Sequence, residues 1–229
     1  MSTLSTPSRE FWLGVREELP ILLGVIPFGM IYGILALGAG LSPFDAQSMS
    51  WVVFAGSSQF MTARLVSAAT PQLVIILTGF IVNLRHALYS ASLAPYTRHL
   101  PLKWKALLAY LLTDEAYAVS ITHYQRPGEI TYKHWHLLGA GLALWSSWQI
   151  STGVGIFLGR QIPPTWGLDF ALPLTFIALV VPGLKDRPAV LTAGVASLAA
   201  LLFFDLPFKL GLIAAAFVAI AVGLWSEKK

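Results

Sequence analysis

Apolar runs of about the length needed to cross a bilayer, roughly 20 residues each, follow one another along the chain with short polar joints between them. They occupy Pro20–Gly40, Met49–Ala69, Pro71–Ala94, Trp104–Thr122, Trp135–Leu158, Asp169–Leu184, Pro188–Phe204 and Pro207–Trp225. The sixth is short, and Gly, Ser or Pro interrupts the second and the sixth. This pattern predicts an all-α, polytopic integral membrane protein of about seven or eight transmembrane helices, some of them broken. Residues 1–19 read as a polar, amphipathic lead-in on the cytoplasmic side, 20–225 as one transmembrane domain, and 226–229 as a polar tail. The first apolar run reads as a retained anchor, because no small-residue cleavage site follows it.

Composition strengthens this reading. Of 229 residues, 56% are hydrophobic and 11% are charged. A soluble domain carries about 25% charge. A disordered chain, a fibre and an ordinary soluble enzyme are thereby excluded. There is no cysteine, hence no disulfide, thiolate metal site or Cys nucleophile. The net charge of +4 is spread over joints and tails, which argues against nucleic acid and for positive-inside sorting. With eight spans, Arg9, Arg16, Arg64, Arg126, Lys133, Lys185, Arg187, Lys228 and Lys229 share the side of both termini. Arg98, Lys103, Lys105, Arg160 and Lys209 fall opposite. The bias places both termini in the cytoplasm, and it vanishes if the second segment dips in and returns. Phe44-Asp45-Ala46 and Leu168-Asp169-Phe170-Ala171 precede the second and sixth segments, and Gly29 and Gly153 share an offset, which suggests an internal repeat.

The informative residues are those that are costly in hydrocarbon. Asn83, Arg85 and His86 fall in the middle of the third span, Asp114 and Glu115 in the fourth. Each mid-membrane charge costs about 2.5–3.5 kcal/mol, so Arg85, Asp114 and Glu115 together cost on the order of 8–10 kcal/mol if unpartnered. Arg85 is expected to pair with one of the two acids, which leaves the second either protonated or facing a wet cavity. Helical spacing puts Tyr110, Thr113, Tyr117, Ser120 and Tyr124 on one polar stripe. The alternative for Arg85 and the acids is a buried pair that fixes register. His86 reads as a proton relay or as a packing residue. His134 and His136 read as interfacial residues at a span edge.

Two further features concern the backbone. Pro27, Gly29 and Gly33 mark a helix break in the first span, although Gly29 with Gly33 and Gly155 with Gly159 also fit close helix packing. Gly56, Ser57, Ser58 and Gln59 are poor helix formers in mid-span and read as a broken, substrate-binding segment. With these, Asn83, Arg85, Asp114 and Glu115 complete the candidate binding set, and Glu115, Asp114 and His86 are the candidates for proton coupling. No H-E-x-x-H, G-x-S-x-G or P-loop string occurs. No catalytic residue, metal site or cofactor is therefore expected.

Pro27-Phe28-Gly29 with Gly33, Phe54-Ala55-Gly56-Ser57-Ser58-Gln59-Phe60, Asn83-Leu84-Arg85-His86 with Tyr89-Ser90, and Leu112-Thr113-Asp114-Glu115 together resemble the AzlC family of branched-chain amino acid transport proteins. Gly167-Leu168-Asp169-Phe170-Ala171 extends the resemblance, which covers roughly residues 15–185. After Arg187 the match is only in apolar character. The resemblance implies a multi-pass subunit of the bacterial inner membrane that works with a smaller membrane protein, AzlD. It implies export of valine, leucine, isoleucine and related neutral amino acids. The competing readings are a structural or assembly subunit whose partner carries the pathway, and an intramembrane enzyme, for which the spacings offer no nucleophile with a base.

Overall fold

The computed structural model describes residues 6–126, 131–161, 184, 186–206 and 210–226. All regular elements among these are helices. They are α1 (Pro7–Gly38), α2 (Pro43–Val52), α3 (Gly56–Ser67), α4 (Gln72–Asn83), α5 (Arg85–Thr97), α6 (Leu102–Leu111), α7 (Asp114–Tyr124), α8 (Lys133–Gly159), α9 (Arg187–Leu202) and α10 (Leu210–Ser226). Residues 1–168 and 169–229 form two compact units.

Helix α1 starts where Thr6 accepts a hydrogen bond from the Arg9 N–H at 3.3 Å, with Pro7 in the first turn. It then runs unbroken for 32 residues, through Pro20 and Pro27. The lead-in and the first span are thus one helix, and the break expected at Pro27, Gly29 and Gly33 does not form. Each proline removes one N–H donor from the ladder. The two glycines instead lie flush on α8, where a Cβ on Gly29 would strike the Ser151 side chain and one on Gly33 the Thr152 backbone. Tertiary packing holds the helix across its weak point, so the close-packing role is the one these glycines serve.

The same logic runs the whole length of the α1–α8 contact. Gly139 rests on the Phe11 backbone, Gly14 on His136 and Ala140, Gly155 on Met30, and Gly159 on Ile34. Contact numbers rise together along both helices, so α1 and α8 run parallel.

The second, third and fourth apolar runs are each divided. Val53–Ala55 separates α2 from α3, Leu84 separates α4 from α5, and Leu112–Thr113 separates α6 from α7. Only the first of these interruptions matches the sequence expectation. Among the described residues, 2 stretches suffice on their own by length and composition to cross a bilayer, α1 and Gln72–Thr97. The other expected spans that fall on described residues are cut by breaks, carry too many polar positions or are short. The sixth span (apart from Leu184) and the Gly167–Ala171 string lie outside the described residues, and with them the second half of the Phe44–Ala46 comparison. Leu73, Ile76, Phe80 and Leu88 stand exposed on α4 and α5, as hydrocarbon-facing side chains do.

Unit two contains α9 and α10. Asp186 caps α9 by accepting from the Ala189 N–H at 2.8 Å, and Gly223 of α10 packs against Thr192 of α9.

Candidate functional site: three helix breaks that meet

Each break has a local cause. At α3 the first residues are Gly56-Ser57-Ser58, and Ala55 supplies no side-chain cap. The Gln59 N–H is the first to find its helical acceptor, Ala55 O at 3.0 Å. The preceding N–H groups face forward without a helical partner. At Leu84 the bonds tighten to three-residue spacing, Leu84 N–H to Ile81 O and Ala87 N–H to Leu84 O. The imidazole of His86 covers the carbonyl of Asn83 at 3.1 Å. At Thr113 the chain is extended, and the Thr113 hydroxyl accepts from the Ala116 N–H at 3.3 Å. Asp114 and Glu115 occupy the first turn of α7, where the helix dipole favours acids. A capping residue followed by two acids is a helix-start signal, and it was readable in Thr113-Asp114-Glu115.

Packing brings the breaks together. The Tyr110 hydroxyl, at the end of α6, donates to the Trp51 carbonyl at 2.7 Å and accepts from the Trp145 indole at 2.8 Å. Phe54, inside the first break, lies 6.4 Å from Tyr110 between ring centroids. Gly79 of α4 faces Ser58 of α3, and Asn83 is one turn further along the same face of α4. Arg85 then reaches from α5 to Asp114 of α7, Nη1 to Oδ2 at 3.4 Å. The expected pairing of Arg85 with one acid is therefore present. Both partners keep part of their surface open, with side-chain exposures of 29% and 41%.

Around these breaks lie polar atoms that are buried and have no hydrogen-bond partner among the described residues. They include the hydroxyls of Ser57 and Ser58, both amide atoms of Gln59, Oδ1 of Asn83, Nε of Arg85 and Nε2 of His86. Native interiors leave few such groups. Gln59 is fully enclosed beside Tyr32, whose hydroxyl donates to Ala46 O at 2.9 Å. The wall behind α3 is aromatic. Phe60 contacts Phe28 at 4.6 Å and Tyr32 at 5.9 Å between centroids. A Cβ on Gly56 would come within 2.9 Å of the Trp148 ring, which is why this position takes glycine. A cavity of about 320 Å³ opens between α5, α6 and α8, lined chiefly by Leu93, Ala94, Leu108, Leu112 and Leu137, with Ser90 at its wall.

The uninterrupted tyrosine stripe expected on the fourth span does not exist, because the break at Leu112–Thr113 puts Tyr110 and Tyr117 on different helices. Tyr117 stacks on Tyr89 at 4.8 Å and bonds Ser92 at 2.9 Å, while Ser120 faces His136.

A second polar group was not foreseen. Glu10, Glu17 and Glu18 of the lead-in point inward. His123 Nε2 meets Glu10 Oε2 at 2.9 Å, and His136 Nε2 meets Glu17 Oε2 at 3.0 Å. Arg126 donates to Glu17 at 2.8 Å and to His123 Nδ1 at 3.3 Å. The imidazoles stack face to face, centroids 4.0 Å apart and planes 7° from parallel. His136 is completely buried, not interfacial as its position at a span edge suggested. Ligand atoms of Glu17, His123 and His136 lie within 4.8 Å of one another. Each ring has a carboxylate partner, so the cluster holds two histidine–carboxylate bonds. Its sequence signal was the spacing of Glu10, Gly14, Glu17 and Glu18, which is that of one helix face.

The family model described as AzlC protein matches residues 20–162. The chain is 28% identical over 228 residues to the inner membrane protein YgaZ of Escherichia coli, covering 95% of this chain and 93% of that protein. It is 31% identical over 224 residues to an uncharacterized membrane protein of Archaeoglobus fulgidus, covering 95% and 96%. It is 29% identical over 178 residues to the branched-chain amino acid transport protein AzlC of Bacillus subtilis, covering 75% and 68%. No solved structure matches it.

Proposed function

The chain belongs to the AzlC family of membrane proteins, and from that premise we propose that it is the large subunit of an exporter for valine, leucine, isoleucine and, by extension, methionine. It acts as a secondary transporter and not as an enzyme. It lies in the bacterial inner membrane through seven or eight apolar segments, and works with a small AzlD-like membrane partner. The observation that supports this most is the meeting of three helix breaks around buried polar atoms that have no hydrogen-bond partner among the described residues. Non-helical backbone at membrane depth is tolerated where it lines a cavity or a binding site.

A zwitterion needs both charges met. Its carboxylate fits the free N–H groups at the start of α3 with the hydroxyls of Ser57 and Ser58, the Gln59 amide and Asn83. Its ammonium fits beside Asp114 and Glu115. Arg85, held by Asp114, keeps the site near neutral when it is empty. The aliphatic side chain lies against the apolar surfaces around the breaks. Such a wall separates neighbouring side chains by about 1–3 kcal/mol per methylene, so selectivity among aliphatic residues is broad.

The test is valine efflux from cells loaded with a valine-releasing dipeptide, co-expressing an AzlD-like partner, with membrane levels matched. Asp114→Asn and Arg85→Ala are each expected to lower efflux by about tenfold or more, equivalent to ~1.4 kcal/mol. Unchanged efflux in both would make the pair structural and return the pathway to the partner. Equal export of aspartate or lysine would refute the neutral-amino-acid assignment.

A further inference from the structure

Two of the divided segments return to the end of the bundle from which they start. Helices α1 and α8 begin together, with Phe11 on Gly139 and Gly14 on His136. The last turn of α7 lies at this starting end, where the Tyr124 hydroxyl donates to the Lys133 carbonyl and His123 meets Glu10. The last turn of α5 is there too. Tyr96 lies 5.2 Å from Tyr124 between ring centroids, and the Lys133 ammonium sits 4.5 Å from the centre of the Tyr96 ring. So is the first turn of α6, because Trp104 packs on His134 and Trp135 at 4.9 and 5.1 Å. Helix α6 therefore leaves the starting end and reaches mid-bundle, where Leu111 meets Gly141 and Tyr110 bonds Trp145. Helix α7 then comes back, from Asp114 to Tyr124.

Segment α2–α3 does the same from the far end. Helix α2 begins directly after α1 has finished, and Gln47 bonds Gln149 at 2.9 Å. By Trp51 and Gly56 the chain has moved back along α8 to Trp145, through Tyr110, and to Trp148. There it turns. Phe60 of α3 rests on Phe28 and Tyr32, and Ser58 faces Gly79 of α4. The end of α3 is located by α4–α5. This stretch is long enough to cross a bilayer, with Tyr96 at the starting end and Arg85 on Asp114 in the middle. Gln72 lies about 20 Å beyond Arg85 at 1.5 Å per residue, hence at the far end, and α3 finishes just before it at Ser67. Lengths agree. Helices α2, α3, α6 and α7 have 10, 12, 10 and 11 residues. Each is about 15–18 Å long, half of a hydrocarbon core of about 30 Å. Charge agrees as well. Arg98, Lys103 and Lys105 now join Arg9, Arg16, Arg126 and Lys133 at the starting end, while Arg64 and Arg160 fall at the far end. The cytoplasmic bias sharpens when both segments return.

We infer that α2–α3 and α6–α7 are re-entrant hairpins that enter the membrane from opposite faces, meet at their tips, and gate one substrate site, each on its own face. Among the described residues of this unit, only α1, α4–α5 and α8 then cross. The tips touch directly. The Tyr110 hydroxyl of one donates to the Trp51 carbonyl of the other at 2.7 Å, and Phe54 packs beside Tyr110. Each tip supplies half of the substrate site. The first brings the free N–H groups and hydroxyls at the start of α3, the second brings Asp114 at the start of α7. A zwitterion held between them touches both gates at once. The apolar cavity of about 320 Å³ lies beside α6, from Arg98 and Lys105 at the starting end to Leu112 at the tip, and forms the approach from that face. The gating role rests on the transport reading above; the hairpins themselves do not.

Two measurements on the full chain with its partner test this. The first labels single cysteines with an impermeant maleimide in right-side-out and inverted membrane vesicles, with labelling in detergent as the control for reactivity. Ser8→Cys marks the starting face and Gln161→Cys the far face. Lys103→Cys should label from the same side as Ser8→Cys, and Ala68→Cys from the same side as Gln161→Cys. Labelling of either from the other face would overturn the hairpins. The second measurement concerns the gate. Tyr110→Phe keeps the ring beside Phe54 and removes the bond to Trp51. The Ser57 hydroxyl is buried at the tip, so Ser57→Cys reports opening. In the Tyr110→Phe background it should react with a small impermeant thiol reagent about fivefold faster, the worth of roughly one hydrogen bond, and added valine should slow it. An unchanged rate would overturn the gating role. Labelling as expected, in vesicles that move no neutral amino acid, would defeat the transport reading and leave the hairpins standing.

Discussion

Gly56 shows how a single side chain, or its lack, sets the site. The start of α3 can rest on the Trp148 ring only because no Cβ stands between them. Gly56→Ala forces a shift of α3 or of the ring, and overpacking of this kind costs about 1–3 kcal/mol. Its expected effect is weaker valine efflux at unchanged membrane level. Pairing it with Trp148→Leu should restore part of the loss, because the obstructing edge is removed. An efflux assay on the single and double variants checks this, and an unimpaired Gly56→Ala would mean that α3 has slack. Much of this residue-level picture was legible in the sequence. Arg85, Asp114, Glu115 and the Gly56–Gln59 run are conspicuous because hydrocarbon makes polar groups expensive. Glu10, Glu17 and Glu18 were not conspicuous. They lie in a stretch that reads as polar and exposed until the helix that carries them is seen to continue into the core.

Among elements, the α1–α8 pair carries the fold. Small residues let the two backbones approach without intervening side chains. A Leu at Gly155 has no room, because even a Cβ there meets the Met30 carbonyl. Gly24 also lies in α1, yet a Cβ on it meets nothing within 4 Å. Gly155→Leu should therefore unfold the protein in mild detergent at markedly lower temperature. Gly24→Ala should be neutral or gain up to about 1 kcal/mol from helix propensity. Thermal melts followed by circular dichroism separate the two. The sequence showed these glycines but left packing and breaking as rival roles, because Pro27 beside Gly29 satisfies both descriptions. The contact with α8 decides it. The breaks at Leu84 and Thr113 were missed for the opposite reason. An apolar window averages over a two-residue interruption, whereas the cap in Thr113-Asp114-Glu115 is a local signal.

For the whole molecule, the shared direction of α1 and α8 constrains how the chain is threaded. If α1 and α8 both cross the bilayer, pointing the same way requires an odd number of crossings between them. Three divided segments, α2–α3, α4–α5 and α6–α7, stand in that interval. Parity is kept if α2–α3 and α6–α7 both enter and turn back, leaving α4–α5 as the single crossing. It fails if only one of them turns back, since two crossings would lay α8 antiparallel to α1. The absence of native cysteine makes a clean test. Single cysteines at Ser8 and Tyr132 should react with an impermeant maleimide from one side of the membrane, and those at Ala39 and Gln161 from the other. Labelling of Ser8 and Tyr132 from opposite sides would break the parity. If it holds, the tight glycine seam does more than join two helices: it ties the two hairpins together, so that neither can turn back without the other.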